Sequence, residues 1–221
     1  MFGLLLLHPQ SCFAKGGAQN ADYSAFEKQI HSYLDTSSWS KCVSACDAYL
    51  AKHRGDTVVR AMRGYALVQS NRDAQSLDDL TAAINAGLVE VPPPLILEHN
   101  NSLRSLRGFA LMRVGRLKEG TADIEKSLAS PILLVSEYLN RSIDYKNLYA
   151  AYNRLGDRVK AQKSAKALSD MENQLQNTLQ PRVYNEADAK GMVAKLTREC
   201  AANQNSSIPL TKLAFYQTVV A

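Results

Sequence analysis

The apolar positions of this chain recur at three- and four-residue spacing, interrupted at regular points by Gly, Asn, Asp and Pro, which predicts a succession of short helices. The segment from Asn147 to Leu168, NLYAAYNRLGDRVKAQKSAKAL, reads as two helices joined at Leu155-Gly156-Asp157. Gly156 supplies a permissive backbone where the first helix ends, and Asp157 can cap the second. The same pattern lies over SLRGFALMRVGRLKEGTADIEKSL, with Gly108, Leu111, Gly115, Gly120, Ile124 and Ser127 in corresponding places and Pro131 closing the second helix. A third copy begins at Gly64 and continues through Leu67, Ser76, Leu80 and Ala83, with no Gly in its turn at Asn71-Arg72-Asp73. A fourth and weaker copy runs through Ile30, Tyr33, Trp39, Cys42, Cys46 and Tyr49. Small residues on each second helix let its axis lie close to the first, and larger ones fill the remaining gaps.

This spacing of Tyr149, Tyr152, Gly156, Ala161 and Ala165, repeated in the other copies, resembles the tetratricopeptide repeat. The resemblance covers roughly residues 21 to 172. It implies an all-α fold, a right-handed α-solenoid of antiparallel helix pairs with about four repeats and a C-terminal capping helix. The interval from Ile30 to Gly64 is 34 residues, the family period, whereas those from Gly64 to Gly108 and from Gly108 to Tyr149 are 44 and 41. Two linkers are therefore expanded. One is the Pro-stiffened insertion from Gly87 to Asn101, and the other surrounds PILLVSEYLNRS, where a helix can be lengthened.

The chain divides into a leader and linker over 1–20, a repeat domain over 21–175, and a capping helix and tail over 176–221. In the leader, a short apolar run is followed by Cys12-Phe13-Ala14, which resembles a secretory signal cleaved after Ala14, although no Lys or Arg precedes the run. A secreted or periplasmic location is the expectation, with the cytoplasm as the alternative. After Met171, Leu175, Leu179 and the stretch EADAKGMVAKLTREC suggest one or two helices closing the open end of the stack. The last residues read as loop followed by a short apolar element, or a frayed tail.

Charge refines this picture only locally. The formal net charge is +5, and the segment 91–168 carries thirteen Lys/Arg against seven Asp/Glu. Such a balance could face an acidic partner, but no aromatic-interleaved basic run marks a nucleic-acid module. Nucleic acid is accordingly not an expected partner, and no later segment has the roughly 20 apolar residues that span a bilayer. Cys42 and Cys46 sit one helical turn apart with no His close by in sequence, so they read first as small buried contact residues and only second as a redox or metal pair.

The chain carries few residues in a chemical pattern. His31, His53 and His99 are scattered, and no metalloprotease motif, nucleophile elbow or phosphate-cradling Gly loop is present. The expectation is a protein without catalytic residues, metal or cofactor. What the family resemblance implies instead is a concave groove lined by the first helices, with Met62, Tyr65, Leu106, Phe109, Met112, Arg113, Lys146, Asn147, Asn153 and Arg154 as its binding residues. Such a groove begins apolar and ends basic, which suits a peptide with apolar anchors and an acidic end. Some of these residues can equally be packing between units. The second reading is a structural scaffold that self-assembles or associates with the cell envelope.

Overall fold

In a computed structural model, which describes residues 21–92, 102–130, 132, 136–179, 186–203 and 206–220, the chain is an all-α solenoid of helix pairs. Four pairs follow one another: α1 Ala21–Leu34 with α2 Trp39–Lys52, α3 Thr57–Gln69 with α4 Asp73–Asn85, α5 Leu103–Arg113 with α6 Leu117–Leu128, and α7 Ser136–Leu155 with α8 Arg158–Leu179. A fifth pair, α9 Glu186–Ala202 and α10 Ser207–Val220, packs on itself and touches the stack through α8. The signal-like leader, residues 93–101 of the insertion and most of the PILLV stretch lie outside the described residues.

The turns inside the first four pairs are built alike. Ser37, Asn71, Gly115 and Gly156 occupy one repeat position, and all four take positive φ, at 49°, 60°, 87° and 75°. The next residue's amide donates back to a carbonyl five residues earlier: Ser38 to Tyr33, Arg72 to Leu67, Arg116 to Leu111, Asp157 to Tyr152. This bond satisfies a carbonyl that the helix end would otherwise leave unpaired and reverses the chain within a few residues. Where Gly is missing, Asn71 serves because its short polar side chain tolerates the left-handed region.

Side-chain caps start several helices. The Asp56 carboxylate accepts from the Val59 amide at 3.0 Å, the Ser102 hydroxyl from Ser105 at 3.4 Å, and Asp157 from Lys160 at 2.9 Å.

Close approach between the two helices of a pair rests on one position, filled by Cys42, Ser76, Gly120 and Ala161, all small and all buried. One turn on, the same surface carries Cys46, Leu80 and Ile124, each fully buried, and then Ala165, which is exposed. The difference has a cause in the facing helix. Leu80 seats on Gly64 and Ile124 on Gly108, where an added Cβ would stand 2.9 and 2.8 Å from them. Tyr149 stands at that place in the fourth pair and offers no such seat. Cys42 and Cys46 are free thiols inside the first core, and burial pushes both thiols' pKa up.

The main core runs from Phe26 and Ile30 through Met62 and Tyr65 to Leu106 and Ala110. A second joins Met112 and Ile124 to Leu148 and Tyr152, and a small third holds Ala189, Leu196 and Tyr216 between α9 and α10. The tail, read from sequence as loop and a short apolar element, is thus a 14-residue helix. Its Leu213, Phe215 and Tyr216 gain apolar partners on α9 that the tail alone could not supply. At the first expanded interval the described flanking residues meet, with the Leu103 amide donating to the Val89 carbonyl at 2.9 Å. The second goes into α7, which reaches 20 residues. Helix α8 continues to Leu179, past the domain boundary drawn at 175.

Among the described residues α3 meets α5 and α5 meets α7, whereas α2, α4, α6 and α8 do not meet one another. From α3 to α7 the first helices therefore form a continuous row, as on the inner side of a curved stack. No described helix is long and apolar enough to cross a membrane.

Candidate functional site

The residues expected to line the groove separate into a buried set and an exposed set. Met62 is 0 % exposed, and Tyr65, Leu106 and Met112 lie at 4, 4 and 7 %. These four build the wall between units and present little surface to a partner. Tyr65 stacks edge-on against Trp39 of the preceding pair at 5.8 Å between ring centres.

Phe109 is half-buried, with the Arg113 guanidinium 5.2 Å above its ring. Arg113 is also tied across to the turn of the second pair: its Nε lies 3.1 Å from the Asp73 carboxylate, and its Nη2 donates to the Asn71 side chain. It acts as a strap between pairs two and three. Lys146 is exposed and turns toward α8, with Nζ 3.7 Å from Glu172. The Asn153 amide donates to the Tyr149 carbonyl at 3.0 Å. Asn147 is half-buried, and Arg154 is exposed with no partner among the described residues. The structure thus brings Phe109 and Arg113 together on α5, and Lys146, Asn147, Asn153 and Arg154 together on α7.

Between α5 and α7 the row is held by a contact not foreseen from the sequence. The Ser105 hydroxyl donates to the Asp144 carboxylate, and both residues are buried. Burial pushes the Asp144 carboxyl up to about 7, against the opposing pull of the Ser105 hydrogen bond and of Arg141. The unfolded chain ionises this group near its ordinary value of 3.8. Between about pH 4 and 7 the folded state therefore holds one more proton than the unfolded state, so this group lowers stability as pH rises through that window and has no further effect above it. An Asp144→Asn variant, compared with wild type by urea unfolding across pH 4 to 8, is expected to lose this slope. The difference is at most about 1.4 kcal/mol per pH unit. Parallel curves would show that Asp144 ionises freely in the fold.

Arginine forks join the pairs on the second-helix side. Arg63 donates from Nε and Nη2 to both oxygens of Asp79, at 2.6 and 2.8 Å, and from Nη1 to Asp47 of the preceding pair at 2.7 Å. Arg107 repeats this with the same nitrogens: Nε and Nη2 to Asp123 at 2.6 and 2.9 Å, and Nη1 to Thr81 of the preceding pair at 3.1 Å. The planar guanidinium suits this two-sided contact because its donors are fixed in a fork. The signal for it was present in the sequence as Arg followed by Asp sixteen residues later, in two copies 44 residues apart.

At the next interface the fork is absent and a pocket of 270 Å³ lies between α6, α7 and α8. Leu128, Leu148 and Ala167 form apolar parts of its lining, and Glu125, Lys160 and Lys163 carry its charge. Tyr152 donates its phenol to Glu125 at 2.6 Å, and burial pushes the Tyr152 hydroxyl up to about 12. Among the described residues no group of His, Cys, Asp and Glu is arranged to hold a metal ion.

Compared with known family models, with curated proteins and with solved structures, the chain matches none.

Proposed function

We propose that this chain is a non-enzymatic interaction module of tetratricopeptide type, which takes a peptide or a segment of a partner protein along its row of first helices. The observation that carries this reading is the unbroken row α3–α5–α7, which leaves Phe109 partly open and Arg154 exposed, with no partner among the described residues, on consecutive members. A rigid row of helices presents such side chains at fixed spacing, so little ordering is needed when an extended or helical segment docks. The buried residues Met62, Tyr65, Leu106 and Met112 set the spacing, and the exposed ones make the contact. With Arg113 engaged by Asp73 and Lys146 by Glu172, Arg154 is, of the expected groove cations, the one with no partner among the described residues, and it is the one offered to an acidic group on the partner.

Selection of displayed peptides on the immobilised protein tests this reading. Recovered sequences are expected to combine an apolar anchor with acidic residues. Phe109→Ala and Arg154→Glu are each expected to weaken their binding about tenfold or more, equivalent to roughly 1.4 kcal/mol, and raised salt should weaken it further. Undiminished binding by both variants, with helix content intact, would remove the groove assignment.

A second reading, self-assembly, rests on a different face. Leu139 and Ile143 stand one turn apart on α7, 46 and 38 % exposed, and α9 does not pack against α7 as a further first helix would. Light scattering over a wide concentration range decides it, because a strict monomer at high concentration removes the idea.

A further inference from the structure

The three interfaces between consecutive pairs can be compared position by position within this one chain. Arg63, Arg107 and Leu148 occupy one place; Asp79, Asp123 and Ser164 a second; Asp47, Thr81 and Glu125 a third. In the first two interfaces the guanidinium fills the space between these places and bonds to both flanking helices. In the third, Leu148 is too short to cross, the facing carboxylate has become a Ser, and the pocket of 270 Å³ opens with all three positions, Glu125, Leu148 and Ser164, in its lining.

What remains there differs in charge from the two closed interfaces. The role of the missing arginine toward Glu125 has passed to Lys160, whose ammonium lies 3.8 Å from Oε1 and 5.0 Å over the Tyr152 ring. Tyr152 donates to the same oxygen. Glu125 is the only acid among the lining residues and its Oε1 is already engaged, so a cationic guest would meet two lysines against one paired carboxylate. The side chains that replace Asp78 and Gln75 of the second pair are Lys163 and Lys160. The wall has turned basic, over a floor of Leu128, Leu148 and Ala167. Apolar walls with a few convergent polar groups are the usual make-up of a small-molecule site. At about 30 Å³ per water in the liquid, the volume corresponds to roughly nine waters, room for a guest of about eight non-hydrogen atoms.

We propose that this pocket binds a small apolar monocarboxylate, its hydrocarbon body against Leu128, Leu148 and Ala167 and its carboxylate beside Lys163. The site uses none of the residues assigned above to a partner peptide and stands or falls separately from that reading.

The test is a titration of the full isotope-labelled chain with hexanoate and, in parallel, hexylamine, followed by NMR. Hexanoate is expected to shift residues of α6, α7 and α8 saturably and to bind about tenfold tighter than hexylamine. Two variants read the site independently. Lys163→Glu, on the surface, is expected to weaken hexanoate about tenfold, and Leu148→Arg, which restores at this interface the side chain found at the other two, is expected to abolish the saturable shifts by filling the pocket. A peptide ending in Leu that binds better with a free terminus than as its amide would also support the site, placing the carboxylate on a chain end. Equal or tighter binding of hexylamine, shifts scattered outside α6 to α8, or no saturation with hexanoate would overturn the proposal.

Discussion

Gly120→Ala is expected to lower the urea midpoint clearly, whereas Gly191→Ala in α9 is expected to raise it. Both glycines sit inside helices, where Ala is preferred by about 1 kcal/mol. Local preference alone therefore predicts a gain at each. The surroundings decide the sign. A Cβ at Gly191 would have nothing within 4 Å, so the gain is retained. A Cβ at Gly120 would stand 2.5 Å from Met112 Cγ and 2.6 Å from the Gly108 carbonyl oxygen, with the Met112 amide nitrogen at 3.1 Å. Met112 can shift its flexible side chain, but the Gly108 carbonyl can move only if α5 and α6 separate. Separating them opens a contact that also includes Ile124, which is fully buried. Overpacking of this kind costs about 1–3 kcal/mol and more when backbone must move, so a net loss of about 2 kcal/mol or more is expected at Gly120. If the two variants shifted the midpoint in the same direction, the close contact of α5 and α6 would be wrong as described.

The second large effect is expected from Arg63→Ala. Asp79 is 4 % exposed, and the Arg63 fork bonds both of its carboxylate oxygens. Removing the guanidinium leaves a buried charge without its counterion, a change that costs about 3–5 kcal/mol. Most of that loss is the penalty on Asp79, and only a small part is the value of the pair itself. The double variant Arg63→Leu/Asp79→Ser, which installs the residues found at Leu148 and Ser164, should therefore recover most of the stability lost. Denaturant unfolding of the single and double variants side by side measures the difference. If the double variant were no better than the single one, the fork would be worth its own weight in stability. Asp47, more than half exposed, is expected to matter little when changed to Ala, since a solvent-facing pair contributes about 0–1 kcal/mol.

Much of the scaffold was legible in the sequence for a physical reason. Helix pairing within one repeat depends on neighbours close along the chain, so it leaves a local trace: small residues at Cys42, Ser76, Gly120 and Ala161, and a turn residue tolerating positive φ at Asn71, Gly115 and Gly156. Ser37 takes positive φ without an obvious signature, because the helices on either side and the Ser38 amide bond hold it there. The candidate site was less legible. Met62, Tyr65, Leu106 and Met112 satisfy the same spacing whether a helical stripe faces a partner or the adjoining helix, and periodicity does not distinguish the two. Burial does, and it places all four in the wall.

The amino-acid sequence by itself determined that the chain is helical, that its helices come in pairs with small contact residues, and that the repeat is stretched after the second and third pairs. These follow from hydrophobic period, turn chemistry and residue counting, all of which act over a few turns of chain. Only the tertiary structure decided that α10 forms on α9, that Ser105 and Asp144 meet in the interior, that Arg113 straps two pairs together, and that the third interface keeps a pocket where the first two carry an arginine fork. Each of these depends on which side chains converge across elements 16 to 42 residues apart, a distance over which loop length and helix packing set the partners and local pattern does not.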